Sequence, residues 1–258
     1  MNTVTELLQP VENDLDDLIL ELKNLIGAGH PILQAAAEHL FSAGGKRLRP
    51  GIVLLISKAI SPEFCLTTKH KRLAEITEMI HTASLVHDDV IDRADARRGN
   101  ETSNILFGNA AAVMLGDYMF AYAAEFITRT DNIHVVKKFA ATLMMMVQGE
   151  LKQDVTVFEY SEDVQRYLDR ITGKTASLFA TAAEGGALVC NVSETEASAL
   201  YSYGINLGIA FQIVDDVLDF SGDPELMGKP IGSDLKSGTL TLPSILYMQQ
   251  KPDLEFRF

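Results

Sequence analysis

Residues 69–93 read KHKRLAEITEMIHTASLVHDDVIDR, a long helix-like run whose end carries Asp88, Asp89 and Asp92. Residues 208–220, GIAFQIVDDVLDF, end in the same way on Asp215, Asp216 and Asp219. On an α-helix of about 3.6 residues per turn, positions i and i+4 share a face. Asp88 therefore stands in line with Asp92, and Asp215 with Asp219. Like charges so spaced destabilise an isolated helix by roughly 0.2–0.5 kcal/mol per pair. Two clusters of one spacing, each among large apolar residues, point to a use for the negative charge. A hard divalent cation such as Mg2+ suits them, because it takes oxygen ligands, keeps waters and is usually held by one or two carboxylates plus a substrate phosphate.

Outward from these segments the chain reads as helix throughout. Val4, Leu7, Leu8, Val11, Leu15, Leu18, Leu22 and Ile26 recur at three- and four-residue spacing, which predicts an amphipathic helix over 4–26. The same pattern predicts helices over 32–43, 51–60, 69–93, 110–128, 134–153, 161–190 and 194–220, with Pro50 in a first turn. Alternating strand patterns are almost absent, so the fold class is all-α. Residues 221–238 gather four glycines and two prolines into a loop that serves as lid or connector. In the second acidic segment Gln212, Asp215, Asp216 and Asp219 form a polar stripe, and Phe211, Val214 and Leu218 are expected to be its apolar back. His81 lies two turns before Asp88 on the same stripe.

Composition narrows the function classes. Of 258 residues 47% are hydrophobic, enough for one sizeable core and too many for a disordered chain. A formal net charge of −13 argues against nucleic acid as a partner. No uninterrupted apolar run reaches the roughly 20 residues of a membrane span, and the acidic N-terminal residues resemble neither a secretory signal nor a transit peptide. The expectation is a protein without a transmembrane segment, made where it works. Cys65 and Cys190 give no disulfide framework. Local cations balance the acidic motifs: Lys46, Arg47 and Arg49 in GGKRLRP, and Arg97 and Arg98 after the first motif. Arg presents a planar fork to phosphate oxygens and Lys a point charge. Two carboxylate sets with several fixed cations describe a site for two diphosphates, one held through metal and one directly.

GGKRLRP (44–50), HDDVIDRADARRG (87–99), GKT (173–175), FQIVDDVLDF (211–220) and GKPIGSDLKSG (228–238) stand in the order found in trans-prenyl diphosphate synthases. The chain resembles the long-chain, polyprenyl branch of that family, whose members make quinone side chains. The likeness runs from about residue 10 to Pro243, and the paired acidic motifs with GGKRLRP are highly specific. It implies an antiparallel helical bundle around a deep apolar cavity, in one domain and usually as a homodimer. It implies Mg2+-dependent condensation of isopentenyl diphosphate with an allylic prenyl diphosphate.

By motif position, Asp88 and Asp92, with Asp89 beside them, would hold Mg2+ on the allylic diphosphate, and Asp215 with Asp219 would do so from a facing wall. Arg97 would contact that diphosphate. Lys46, Arg49, His81 and Arg98 would hold isopentenyl diphosphate, while Lys174, Thr175, Gln212 and Lys229 would line the allylic side, with Lys174 and Thr175 next to the developing cation. Ala83 and Ser84, one turn before Asp88, stand where short-chain relatives carry bulky aromatics, so their small size implies a product beyond twenty carbons. Two departures stand out. Thr239 follows Gly238 where relatives often have Lys, and after Pro243 the sequence ILYMQQ runs into KPDLEFRF where relatives continue with further helices. The chain is thus expected to be C-terminally short, and a non-catalytic or truncated subunit of a heteromeric synthase is the alternative reading. A class I terpene cyclase fits less well, since it lacks a matched second DDxxD and needs no GGKRLRP site. The implied compartment is the cytoplasm, or the plastid stroma for a plastid-encoded chain.

Overall fold

A computed structural model of the chain describes residues 4–27, 29–42, 44–97, 99–222 and 231–251. The helical reading holds over nearly all of them. The predicted first helix is two, α1 (Val4–Leu8) and α2 (Glu12–Gly27), joined by a tight turn at Gln9–Val11. Pro10 accounts for the break, because it has no N–H to continue the ladder. Then come α3 (Pro31–Ser42), α4 (Leu48–Ile60) and the long α5 (Thr68–Ile91). A minimal hairpin follows, β1 (Ala96–Arg97) paired antiparallel with β2 (Asn100–Glu101). It and the short α6 (Ser103–Phe107) are absent from the sequence reading, being too short to show a period. The remainder is α7 (Asn109–Thr128), α8 (Ile133–Asp154), α9 (Val164–Ile171), α10 (Ser177–Val189), α11 (Glu194–Ser221), α12 (Ser233–Lys236) and α13 (Leu242–Gln250). Asp163 caps α9 by accepting from the backbone N–H of Gln165 at 2.8 Å and of Arg166 at 3.2 Å.

The chain divides into two compact units, residues 1–138 with 182–200, and residues 139–181 with 201–258. In the first, α5 is the central element and packs on α7, α4 and α2. Leu73, Ile76, Met79, Ile80, Ala83 and Val86 of α5 are all buried. Gly116 lets α7 approach α5 closely, since a Cβ there would stand 2.2 Å from His87 Nε2. Helix α7 is long and apolar enough, by length and composition, to cross a membrane. Its Leu115, Met119, Ala123 and Phe126 are buried, while Asp117 and Glu125 are exposed together with Val113 and Met114.

In the second unit Tyr167, Ile171, Leu240, Ile245 and Met248 form a buried cluster that gathers α9 and α13. Helix α11 lies against α10 where Gly204 meets Ala180, and against Ala176, just before α10, where Gly208 comes close. The expected polarity of α11 is partly reversed. Val214 is 57% and Leu218 37% exposed, whereas Asp216 and Asp219 are buried at 3% and 2%. The reason is local: both carboxylates find donors inside the unit, described below.

The tight α10–α11 crossing fixes the sign of one substitution. Gly→Ala within a helix ordinarily stabilises by about 1 kcal/mol. At Gly204 the new Cβ would lie 2.5 Å from Ala180 Cα and 2.7 Å from the Phe179 carbonyl oxygen. Overpacking of this kind costs about 1–3 kcal/mol, so Gly204→Ala is expected to lower the midpoint of thermal unfolding followed by circular dichroism. A raised midpoint would contradict the close crossing.

Candidate functional site

The GGKRLRP segment turns the chain from α3 into α4 through left-handed backbone at Gly44 (φ 72°) and Arg47 (φ 48°). Gly44 takes that conformation without steric cost, and Arg47 needs anchoring. The anchor is its guanidinium, which donates to the Phe41 carbonyl oxygen at 3.2 Å and stands 3.3 Å from Glu78 Oε1 on α5. Both side chains of this ion pair are largely buried, at 15% and 11% exposure. The sequence reading left Arg47 without a role beyond charge. Its fork points inward while the neighbouring Lys46 stays exposed.

Arg49, on the first turn of α4, donates from NH1 to His81 Nε2 at 3.1 Å. A guanidinium only donates, so Nε2 is the acceptor in this contact. Two of the residues expected to hold isopentenyl diphosphate are thus brought together. A cavity of about 620 Å³, counted with its open mouth, lies here, and His39, Gly44, Arg47, His81, Asp89 and Arg97 are among its lining residues. Arg98 lies outside the described residues.

The first acidic motif is divided by burial. Asp89 is buried and paired with Arg97, whose Nε and NH2 both lie 2.8 Å from Oδ1. Asp88 is half-buried and Asp92 exposed, and the backbone N–H of Asp92 donates to the Asp88 carbonyl at 2.8 Å, so the two stay one helical turn apart. Arg97, expected to face a diphosphate, here neutralises Asp89. Ala83 is fully buried, whereas Ser84 is half-buried with its hydroxyl folded back on the His81 carbonyl at 2.8 Å.

The second motif divides likewise. Asp215 is exposed. Asp216 accepts from the Tyr167 hydroxyl at 2.7 Å through Oδ2 and from Gln212 Nε2 at 2.8 Å through Oδ1. Burial pushes the Asp216 carboxyl pKa up, and these two donors pull it back. Burial and the facing Asp216 both raise the pKa of the Tyr167 hydroxyl, which therefore keeps its proton. Asp219 accepts from Ser233 Oγ at 2.5 Å and from the Asp234 backbone N–H at 3.2 Å, tying α12 to the end of α11. Lys229 lies outside the described residues, and so does most of the first half of the 221–238 loop.

The GKT segment forms a wide π-helical turn, Thr172–Ala176, between α9 and α10. Such turns are frequent at functional sites. Gly149 of α8 makes room for it, because a Cβ there would stand 2.4 Å from Lys174 N. Lys174 Nζ reaches Glu150 at 2.6 Å, and Thr175 Oγ1 donates to Gln212 Oε1 at 2.8 Å. Among the described residues no group of three or more His, Cys, Asp or Glu side chains is arranged to hold a metal ion. Asp88 with Asp92, and Asp215, present oxygen donors one or two at a time, the arrangement that suits an ion completed by water and phosphate.

The chain matches the Polyprenyl synthetase family over residues 30–256 and belongs to it. It is 48% identical to a prenyl transferase of Cyanophora paradoxa, over 98% of this chain and 79% of that one. It is 47% identical to a chloroplastic solanesyl-diphosphate synthase of Oryza sativa subsp. japonica, over 98% of this chain and 63% of that one. The solved structure of a Caulobacter crescentus CB15 polyprenyl synthase, complexed with calcium and isoprenyl diphosphate, superposes with a TM-score of 0.89 at 35% identity, covering 97% of this chain and 76% of the other. With a family so matched, the chain is a prenyltransferase of the isoprenoid-synthase, all-α type.

The Arg47–Glu78 contact yields a test of the loop. Removing one partner of a largely buried ion pair costs about 3–5 kcal/mol. Arg47→Met is expected to lower stability by an amount in that range in urea denaturation. A change within about 0.5 kcal/mol, the usual size for a surface substitution, would show that the pair does not anchor the turn.

Proposed function

We propose that the chain joins isopentenyl diphosphate head-to-tail to an allylic prenyl diphosphate and releases a long all-trans polyprenyl diphosphate together with inorganic diphosphate. The observation that carries this reading is, within the first unit, the glycine-rich loop that sets Arg49 against His81 on the same helix as Asp88 and Asp92; the second acidic motif, in the other unit, supports it through its matching spacing. Mg2+ is the proposed cofactor, held by Asp88 and Asp92 and by Asp215, with Asp89 and Asp219 supporting them. When bound it neutralises charge growing on the leaving diphosphate.

The remaining work falls to side chains of this chain. Lys46, Arg49, His81 and Arg98 seat the diphosphate of isopentenyl diphosphate; the Arg49–His81 contact holds both groups ready before it arrives. Arg97, held by Asp89, and Lys174, held by Glu150, are proposed with Lys229 to meet the allylic diphosphate, and preorganised charge facing a developing anion is commonly the largest catalytic contribution. Thr175 and Gln212 border the allylic carbon. As the allylic C–O bond breaks, the double bond of isopentenyl diphosphate attacks the cationic carbon, a new C–C bond forms, and the released diphosphate takes the proton that leaves. The site must align the two reactants and keep out water, which would capture the cation.

For product length, Ser84 is the position with accessible surface, and Ala83, fully buried, contributes through packing. The names of the solanesyl and other polyprenyl relatives favour a product beyond twenty carbons, and a quinone side chain is its proposed destination. A homodimer is the proposed assembly, and cytoplasm or plastid stroma the proposed compartment. The second reading, a subunit of a heteromeric synthase, is favoured by one relative, a Bacillus subtilis heptaprenyl diphosphate synthase component 2, 38% identical over 95% of this chain.

Incubation with Mg2+, labelled isopentenyl diphosphate and an allylic primer is expected to give products longer than twenty carbons, with no turnover in excess EDTA. Ser84→Phe is expected to shorten them. Absence of elongation with any primer would favour the subunit reading, and an unchanged product length in Ser84→Phe would remove Ser84 from the length-setting wall.

A further inference from the structure

Tyr167 has no part in the reading above, yet it is 2% exposed and aims a hydroxyl at the second acidic motif from a different helix. We propose that Tyr167 is a positioning residue that acts on Thr175 through Asp216 and Gln212, fixing which way the Thr175 hydroxyl points. The inference rests on the prenyl-transfer reading and deepens it.

The chain of contacts is directional. Tyr167 has one O–H, and it donates to Asp216 Oδ2 at 2.7 Å. That bond locks the carboxylate plane and leaves Oδ1 turned to Gln212 Nε2, 2.8 Å away. Gln212 thus gives its NH2 to Asp216 and turns its Oε1 away from it. Gln212 Oε1 then meets Thr175 Oγ1 at 2.8 Å and takes the hydroxyl hydrogen. Thr175, almost buried at 8%, is left with lone pairs alone for any further neighbour. The sense of this arrangement matters for the reaction. Lone pairs beside the reacting carbon favour the positive charge that develops on it. A hydroxyl hydrogen in the same place would oppose it. Tyr167, Asp216, Gln212 and Thr175 all belong to the second unit, so the relay is complete within it.

Three features support a role beyond packing. A phenyl ring would fill the same volume in the cluster of Ile171, Leu240, Ile245 and Met248, so the hydroxyl is not needed for burial. Thr175 sits on the π-helical turn, where the extra residue displaces it from regular helical register. Gln212 and Asp216 are one turn apart on α11, so one rigid element carries the middle of the relay.

A double-mutant cycle separates this role from a structural one. With Mg2+, isopentenyl diphosphate and an allylic primer, Tyr167→Phe is expected to lower kcat about tenfold while KM for both substrates stays within about twofold. In a Thr175→Val background the same change is expected to cost less than about twofold, because the group it positions is gone. Thr175→Ser keeps the hydroxyl, so in that background the tenfold loss should return. Equal kcat losses from Tyr167→Phe in all three backgrounds, accompanied by a lower melting temperature, would overturn the proposal in favour of packing alone. If Tyr167→Phe is too unstable to assay, 3-fluorotyrosine at position 167 keeps the hydroxyl and changes its hydrogen-bond strength at the cost of one small ring substituent, and its effect must show the same dependence on Thr175. A wild-type chain inactive with every primer would instead overturn the prenyl-transfer reading, and this inference with it.

Discussion

A carboxylate withdrawn from water has to be met by donors, and that requirement organises both acidic motifs. Burying an uncompensated charge costs far more than any single contact returns. Each motif solves the problem in the same way, by dividing its aspartates. Asp89 goes inward and is matched by Arg97, while Asp88 and Asp92 stay toward the surface. Asp216 and Asp219 go inward and are matched by Tyr167, Gln212, Ser233 and the Asp234 backbone, while Asp215 stays exposed. The inward members fix the helix ends, and Asp92 and Asp215 stay exposed.

The same economy governs the basic side. Arg47 turns inward to Glu78 and spends its charge on holding a left-handed turn, which leaves Lys46 exposed and Arg49 directed at His81. In both places a charged residue next to a proposed substrate ligand serves as its support. Such support matters because a misplacement of about 1 Å from far outside the chemistry can cost a hundredfold in rate.

Much of this was legible in the sequence. Apolar residues at three- and four-residue spacing locate the long helices, and the order of five motifs points to the family. The misses have physical causes. The break at Gln9–Val11 was signalled by Pro10, although the surrounding leucine pattern ran straight across it. The π-helical turn at Thr172–Ala176 has no compositional signature, because it differs from α-helix only in which carbonyl each N–H reaches. The polarity of α11 was misjudged at Val214 and Leu218 because residue type was taken to decide burial, whereas donors from α9 and α12 drew Asp216 and Asp219 inward. Tyr167 was missed because its partner lies 49 residues away. The one signal available was general: a tyrosine on the buried stripe of VQRYLDRI needs a partner for its hydroxyl.

The central claim is that outward carboxylates of both motifs serve metal ions that arrive with diphosphate. Electron paramagnetic resonance of Mn2+ titrated into the protein, with and without inorganic diphosphate, tests it directly. Weak binding of Mn2+ alone, tight binding with diphosphate, and loss of the tight sites in both Asp88→Ala and Asp215→Ala would bear the account out. Tight Mn2+ binding that ignores diphosphate, or that survives Asp215→Ala undiminished, would contradict it.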